Sequence, residues 1–129
     1  MRFRAEQHLR RQRDIQYVRQ AGRRFDCGGF TLWWVRRPAS EPVESASGTA
    51  FLGPRVAVVA SRAAVGSAVQ RNRAKRRLRE VFRQHQDKLP AGVDLLMVAR
   101  SALNQLEYSE IERKFINACA KLFPTTIRS

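Results

Sequence analysis

Two periodicities of apolar residues alternate along this chain, and together they predict a domain built from both helices and strands. Short runs rich in branched and aromatic residues are typical of strands, and they occupy residues 30–35, 55–61 and 94–100. Apolar residues spaced three and four apart are typical of amphipathic helices, and they occupy residues 14–21, 107–123 and a segment after Gly66 that ends near Gln86. Helices interspersed with a small sheet predict an α+β sandwich.

The strand at residues 30–35 contains two adjacent tryptophans, which the strand must place on opposite faces. Side chains alternate along a strand, so one face carries Phe30, Leu32 and Trp34 and the other carries Thr31, Trp33 and Val35. We predict that Trp34 lies in the core. Trp33 is then left for the side where Ile15 and Val18 of the first helix could form a cleft wall. A core position is the alternative for Trp33, because most strand tryptophans are core residues.

The helix after Gly66 combines an apolar stripe with a dense row of positive charge. Seven of the thirteen residues from Arg71 to Arg83 are basic, and the only acid among them is Glu80. At helical spacing the apolar face carries Ala74, Leu78, Val81, Phe82 and His85, and a second stripe carries Asn72, Arg76, Arg79 and Arg83, with Arg73 and Lys75 at its edges. Neighbouring like charges destabilise a helix, and a polyanion would neutralise them. A solvated surface face is the alternative, although such faces normally alternate in sign.

The composition is that of one globular domain with an unusual excess of positive charge. The 129 residues are 43% apolar, the net charge is +14, and Arg outnumbers Lys 21 to 4. This charge suits phosphate-backbone binding, or less often an anionic membrane surface, and the planar fork of Arg suits RNA. Genomic base composition can produce the same Arg bias. We predict a single nucleic-acid-binding domain over residues 1–129, with a basic arm at 1–11 and a flexible loop at 38–53.

Several kinds of site are missing from the sequence pattern. Cys27 and Cys119 are isolated thiols, and His8 and His85 are the only histidines, so neither a zinc site nor a Cys/His catalytic pair is predicted. The eleven carboxylates are scattered, so we expect no catalytic centre within the protein. The charged N-terminus has no apolar signal segment, and no apolar run exceeds five residues. We therefore expect a cytoplasmic protein without a membrane span.

The segment from Val65 to Phe82 resembles the signature of the protein subunit of bacterial ribonuclease P. In this chain it reads Val65-Gly66-Ser67-Ala68-Val69-Gln70-Arg71-Asn72-Arg73-Ala74-Lys75-Arg76-Arg77-Leu78-Arg79-Glu80-Val81-Phe82. The signature is a Val-Gly-x-Ala-Val turn, then Arg-Asn-Arg-x-Lys-Arg, two variable positions and Arg. The resemblance extends to four predicted elements that fall where the family has its first helix, first strand, last strand and last helix: Asp14–Gly22, Phe30–Trp33, Asp94–Arg100 and Leu106–Phe123.

The resemblance implies a small two-layer α+β fold of order αβββαβα, with a left-handed βαβ crossover that holds the cationic helix. Since three strands are predicted directly, the fourth would lie beside the 38–53 loop. In this family a large RNA is the catalyst: using magnesium ions, it hydrolyses a phosphodiester of precursor transfer RNA and leaves the mature 5′ end. The resemblance therefore implies ribonuclease P RNA and precursor transfer RNA as partners, Mg²⁺ bound mainly by the RNA, and no organic cofactor.

The resemblance also implies two groups of contact residues. Phosphates of the catalytic RNA would be contacted by Arg71, Arg73, Lys75, Arg76, Arg79 and Arg83. Asn72 would contact a backbone group, a phosphate or a hydrated ion, and helix N-capping is the alternative for it. The single-stranded 5′ leader would lie in a cleft between the sheet and the first helix, lined by Ile15, Val18, Arg19, Thr31, Trp33 and Arg62, with Trp33 stacking on bases.

Three features depart from the family pattern. The family commonly has Ser-Lys-Lys before the Val-Gly turn, whereas this chain has Ser61-Arg62-Ala63-Ala64. The first helix of the family often carries two aromatic residues four apart, and the matching positions here are Ile15 and Arg19. Arg19 would stack on a base, reach a phosphate or remain solvated. The loop at 38–53 is longer than usual.

Three rival classes of protein share some of these features. A general RNA-binding or ribosome-associated protein with no role in cleavage would have the same charge, and it is the alternative function. A DNA-binding leucine zipper would need heptads that continue past Phe82, and Pro90-Ala91-Gly92 interrupts them. A protein nuclease would need clustered carboxylates or histidines, and the sequence has neither.

Overall fold

A computed structural model describes residues 12–36, 43–44, 50–51 and 53–123. Its helices are α1 (Gln12–Ala21), α2 (Arg62–Val65), α3 (Ala68–His85) and α4 (Tyr108–Leu122). Its strands are β1 (Arg23–Asp26), β2 (Phe30–Arg36), β3 (Val43–Glu44), β4 (Ala50–Phe51), β5 (Arg55–Val59) and β6 (Val93–Ala99). The basic arm at 1–11 and most of the 38–53 loop lie outside the described residues. No described helix is long and apolar enough to cross a membrane.

Four strands form one mixed sheet in the order β1-β2-β6-β5. β2 pairs antiparallel with both β1 and β6, whereas β5 pairs parallel with β6. The chain passes from β5 to β6 through α2 and α3, so the cationic helix lies within a βαβ connection. With α1 before the sheet and α4 after it, the main elements follow the αβββαβα order. Among the described residues, β3 and β4 form a separate two-stranded sheet.

The fourth strand of the sheet is β1, and the prediction of its position was wrong. We expected it beside the 38–53 loop, and we took Phe30 as the start of the first strand. Instead, β1 precedes β2 and pairs with it through a short turn in which Gly28 and Gly29 have φ of 79° and 99°. The Gly28 amide donates to Asp26 Oδ1 at 3.0 Å. β1 is an edge strand with three charged residues out of four, so its sequence lacks the apolar run on which the prediction relied.

One face of the sheet packs against α3 and α4 and forms the main core. The sheet contributes Phe30, Leu32, Leu95 and Met97, α3 contributes Ala74, Leu78, Val81 and Phe82, and α4 contributes Ile111, Phe115, Ala118 and Cys119. Burying one such aliphatic or aromatic side chain contributes about 1.5–3 kcal/mol. The apolar stripes predicted for both helices are therefore the faces that they bury.

Among the described residues, the ten residues of α1 cover part of the opposite face of the sheet. Val18 of α1 and Leu96 of β6 are fully buried against each other. Gly22 ends α1 where the chain turns into β1, and its amide donates to the Val18 carbonyl at 2.9 Å. A Cβ at Gly22 would lie 2.2 Å from that carbonyl oxygen and 2.6 Å from the Trp34 carbonyl oxygen. Only glycine allows α1 to end so close to the sheet.

Candidate nucleic-acid interface

The start of α3 is defined by a capping box rather than by Asn72. Ser67 is the N-cap, and its side chain accepts from the Gln70 amide while the Gln70 side chain accepts from the Ser67 amide, both at 3.3 Å. Gly66, with φ of 115°, brings the chain into this cap, and a Cβ there would lie 2.2 Å from the Gln70 Oε1. Asn72 is therefore the fifth residue of the helix. The N-capping alternative for Asn72 is wrong, and its side chain is exposed.

The predicted RNA-binding residues all lie on α3, and the exposed ones project from the side away from the core, whereas Arg71 lies in line with Leu78 and Phe82 and its Nε is buried. We call this set the cationic ridge: Arg71, Asn72, Arg73, Lys75, Arg76, Arg79 and Arg83. Asn72, Arg73, Arg76 and Arg79 are exposed, whereas Arg71, Lys75 and Arg83 are half-buried. Within the described part of the chain, Arg73, Arg76 and Arg79 make no ion pair. The ridge thus presents uncompensated positive charge on a helix that is anchored in the core.

Arg83 differs from the rest of the ridge because it is paired within its own helix. Its Nε donates to Glu80 Oε1 at 3.0 Å and its Nη2 donates to Oε2. Gln84 Nε2 donates to the same carboxylate at 2.7 Å. The hydrogen bond from Arg83 is the main cause that lowers the pKa of Glu80. Glu80 therefore stays ionised at neutral pH and offsets part of the Arg83 charge.

Arg77 is basic like its neighbours, but it lies outside the cationic ridge and makes a structural contact that was not predicted from the sequence. Its Nη1 donates to the Leu103 carbonyl at 2.9 Å, and its Nη2 donates to the Leu106 carbonyl. Burial, and then the charge of Arg73, lower the pKa of Arg77. These bonds hold the turn before α4 against α3. A signal was present in the sequence, since Arg77 lies three residues after Ala74 and four before Val81, beside the apolar stripe.

A second surface lies on the side of the sheet that α1 covers incompletely. Six half-buried apolar side chains surround Val18 and Leu96, and we call this set the α1 face: Ile15, Trp33, Val35, Ala57, Val59 and Val98. They come from α1, β2, β5 and β6, and strand pairing brings them together: Trp33 is opposite Leu96, which is opposite Ala57. The α1 face is an apolar surface that remains partly open to solvent.

The structure separates the predicted cleft residues into two groups. Ile15 and Trp33 lie on the α1 face, and Arg19 extends over the Trp33 ring, with its Cζ 6.0 Å from the ring centroid. In contrast, Val18 is 0% exposed and Thr31 is 2% exposed. The expectation that these two side chains line the surface needs correction, because neither offers area that a ligand could touch in this conformation. They support the surface from beneath.

Arg62 is the exposed first residue of α2, just after β5. It therefore follows the end of the strand that supplies Val59 to the α1 face.

Ala57, Val59 and Val98 also belong to this surface, although none of them was predicted from the sequence. Of residues 56–60, only Val56 and Ala60 are buried, at 2% and 7% exposure. Ala57 and Val59 are half-buried. The physical reason is that β5 is an edge strand and that α1 is too short to cover it. Strand alternation would have placed both residues on the side opposite Val56.

The two adjacent tryptophans occupy different environments, as the alternation predicted. Trp34 packs against the main core and makes an edge-to-face contact with Phe123, with ring centroids 4.8 Å apart. Trp33 belongs to the α1 face, on the other side of the sheet. The prediction that Trp33 and Trp34 face opposite ways is confirmed.

Metal-ligating side chains do not converge in the part of the chain that the structure describes. No group of three or more His, Cys, Asp or Glu residues there could hold a metal ion. The two cysteines are unpaired, and burial, as the main cause, raises the pKa of each thiol to about 12. We therefore assign no metal ligand and no reactive thiolate to these residues.

Comparison with known proteins identifies the family. The Ribonuclease P family model matches residues 3–122. Ribonuclease P protein components of Pseudomonas paraeruginosa and Pseudomonas entomophila are 47% and 41% identical over 62 and 76 residues. These matches cover 48% and 59% of this chain and 45% and 53% of the relatives, so the chain spans about half the length of the curated relatives that it matches.

Solved structures agree in fold. The ribonuclease P protein of Staphylococcus aureus superimposes with a TM-score of 0.69 at 21% identity, covering 91% of this chain and 97% of that one. The protein of Thermotoga maritima gives a TM-score of 0.70 at 21% identity, covering 89% and 96%. At this identity the likeness shows the fold alone. The family model, however, matches almost the whole chain, and the chain therefore belongs to the ribonuclease P protein family.

Proposed function

We propose that this protein is the protein component of a ribonuclease P ribonucleoprotein, binding the catalytic RNA through the cationic ridge. The observation that carries the proposal is the one-sided construction of α3. Ala74, Leu78, Val81 and Phe82 are buried, so the opposite side of the helix projects from a fixed core. A rigid row of guanidinium groups suits a phosphate backbone, because each can donate in-plane hydrogen bonds to phosphate oxygens. Asn72, exposed in the same row, would contact a backbone group, a phosphate or a hydrated ion.

The α1 face is the proposed contact for the single-stranded 5′ leader of precursor transfer RNA. Trp33 and Ile15 supply apolar surface, and Arg19 and Arg62 supply positive charge nearby in the fold. Single-stranded nucleic acids bind surfaces that combine a cationic track with aromatic side chains. Bound there, the leader would be kept extended and away from the mature part of the substrate. The protein would thus position the substrate for a reaction that it does not carry out.

In this proposal the RNA is the catalyst and holds the magnesium ions that support phosphodiester hydrolysis. The residues of this chain bind and orient the two RNAs, and they neutralise charge where the phosphate backbones come close together. The protein should therefore matter most at low magnesium, where fewer ions screen the repulsion between RNA strands.

The deciding experiment is cleavage of precursor transfer RNA by a bacterial ribonuclease P RNA, with and without this protein, at low and high magnesium. We expect stimulation that is largest at low magnesium, and no specific cleavage by rigorously RNA-free protein. Cleavage by the protein alone would refute the assignment of catalysis to the RNA. Equal binding to unrelated structured RNAs, together with no stimulation at any magnesium concentration, would favour the alternative of a general RNA-binding protein.

A further inference from the structure

Two arginines come from positions next to Trp33 on the α1 face. Arg19 of α1 places its guanidinium carbon 6.0 Å from the centroid of the ring. Arg24 of β1 is the direct partner of Trp33 in the β1–β2 ladder. Directly opposed residues in an antiparallel pair project to the same face, with Cβ atoms about 4.5–5.5 Å apart. One guanidinium therefore lies over the indole and a second leaves the strand beside it.

The acidic residues on the same two elements, Asp14 and Asp26, have other partners. Asp14, on the same helix as Arg19, lies 3.8 Å from Arg55. Asp26, two residues after Arg24, accepts a hydrogen bond from the Gly28 amide. Among the described residues, neither Arg19 nor Arg24 has an ion pair, and both are exposed. Two positive charges thus lie on the same side of the sheet as Trp33, and neither forms an ion pair with the described part of the chain.

The geometry of a guanidinium allows it to stack and to bind an anion at once. Its face can lie on an indole through a cation–π contact, while its five N–H groups point outward in the plane of the group. Arg19 can therefore stay on Trp33 and still donate to a phosphate at its edge. The ring face that Arg19 covers is then not open to a base. Arg24 supplies a second cation on the same side of the sheet.

We propose that Arg19 and Arg24 together bind one backbone phosphate of the leader beside Trp33, so that charge rather than base identity governs recognition at this position. This inference rests on the proposed function of the α1 face. It adds Arg24, which neither the motif nor the predicted cleft included, and it makes Trp33 the support on which Arg19 is held. The contribution of the leader to affinity should consequently depend on salt concentration, and it should not change with the identity of the base next to the bound phosphate.

The test measures equilibrium binding of two substrates to the assembled protein–RNA complex at several salt concentrations. One substrate has a leader of several nucleotides and the other is mature transfer RNA. The leader factor is the Kd of mature transfer RNA divided by the Kd of the substrate with a leader. For the wild type, the logarithm of the leader factor should fall with the logarithm of salt with a slope of about 0.7, the value for one phosphate of a single strand. Arg19→Gln and Arg24→Gln should each lower the leader factor and flatten its slope.

Two kinds of substitution serve as controls: one keeps the charge at Arg19, and the other removes a charge from a different surface. Arg19→Lys should keep the salt slope, because it keeps the charge, and lose part of the leader factor, because an ammonium does not stack as a planar group does. Arg113→Gln removes an exposed charge on α4 and should leave the leader factor unchanged. A neutral methylphosphonate at the bound position of the leader should reproduce with the wild type the loss seen in the double variant Arg19→Gln with Arg24→Gln, and it should add nothing further to that double variant.

The outcomes separate this inference from the function on which it rests. A wild-type leader factor of one would refute the leader contact itself, and the inference with it. A leader factor well above one that does not change with salt concentration or in either glutamine variant would overturn the phosphate contact of Arg19 and Arg24 but not the leader contact itself. Equal losses for substrates with and without a leader would also overturn it, since the arginines would then contact another part of the complex. Unchanged thermal unfolding of the variants would exclude misfolding as the cause of any loss.

Discussion

Arg55 and Asp94 form a two-point ion pair that joins β5 to β6. Arg55 Nε lies 2.8 Å from Asp94 Oδ1, and Nη2 lies 2.6 Å from Oδ2. The two residues are direct partners in the parallel ladder, and their side chains are 9% and 4% exposed. Asp14 of α1 approaches the same guanidinium at 3.8 Å. The pair therefore lies where the edge strand, its neighbour and α1 meet.

Removing one partner of this ion pair should destabilise the fold. We expect Asp94→Ala to lower the free energy of unfolding by about 3–5 kcal/mol, because it leaves the Arg55 charge desolvated, with Asp14 as its one remaining carboxylate among the described residues. The double variant Arg55→Met with Asp94→Leu should recover most of the loss, since no charge remains buried. Urea denaturation of the three proteins measures both effects. A loss below about 1 kcal/mol for Asp94→Ala would mean that the pair is solvated in solution.

The cationic ridge should respond to charge removal through binding and not through stability. Arg76→Ala with Arg79→Ala removes two exposed charges and leaves the buried stripe of α3 intact. Binding to the catalytic RNA should weaken, and the salt slope should fall by about 1.4–1.8, or 0.7–0.9 for each phosphate contact. The melting temperature should stay the same or rise slightly, because repulsion between neighbouring charges is relieved. Arg100→Ala with Arg113→Ala is the matched control away from the ridge. A collapsed melting temperature with an unchanged slope would show that the ridge is structural.

Arg77 should show the opposite pattern from its neighbour Arg79. Arg77→Ala removes the hydrogen bonds to the Leu103 and Leu106 carbonyls, and we expect it to lower the free energy of unfolding by about 1–3 kcal/mol. Arg79→Ala, two positions along the helix, should leave stability nearly unchanged. Urea denaturation, paired with a salt titration of RNA binding, distinguishes the two. If Arg79→Ala were the more destabilising change, the assignment of Arg77 to the fold would be wrong.

Trp33 and Trp34 should separate leader recognition from folding. Trp33→Ala removes both apolar surface and the support of Arg19, and it should lower affinity for precursors with a leader by about 1–3 kcal/mol, the size of one aromatic contribution to single-strand binding. Affinity for mature transfer RNA and for the catalytic RNA should barely change. Trp34→Ala should instead destabilise the fold by about 3–5 kcal/mol, as large-to-small core substitutions do. Binding and unfolding measurements on both variants test this. A loss of stability for Trp33→Ala and a loss of leader affinity for Trp34→Ala would contradict the assignment of the two tryptophans to opposite faces of the sheet.

The buried thiols should make the protein less stable at alkaline pH. Burial raises the pKa of Cys27 and of Cys119 from 9.0 to about 12. The folded state therefore keeps both protons above pH 9, whereas the unfolded chain releases them. Stability is fully present below pH 9 and should fall as pH rises from 9 towards 12, with a slope of up to about 1.4 kcal/mol per pH unit for each thiol.

The measurement for this prediction is urea denaturation at pH 7.5, 9 and 10.5 in the parent protein and in Cys27→Ala with Cys119→Ala. The double variant should have the flatter profile. Some slope should remain in it above pH 10, since burial also raises the pKa of Tyr108 to about 12. Identical profiles in the two proteins would mean that the thiols are not desolvated in the folded state.

The sequence by itself determined the features that arise from local periodicity. The stripe of Ala74, Leu78, Val81 and Phe82 repeats with the helical period, so both the buried side of α3 and the exposed ridge could be predicted. The opposite facing of Trp33 and Trp34 follows from the period of a strand. The basic motif of α3 is contiguous in the chain, and the resemblance to the family could be found from that motif and the order of the elements around it.

Only the tertiary structure decided which residues of the same type have different roles. Arg77 and Arg79 look alike in the sequence, but the carbonyls that Arg77 contacts belong to a turn 26 and 29 residues further along the chain. β1 carries almost no apolar signal and exists because β2 supplies its hydrogen bonds. The burial of Val18 and Thr31, and the openness of Ala57 and Val59, depend on how far α1 reaches across the sheet. Contacts between distant segments set these properties, and no local period in the sequence encodes them.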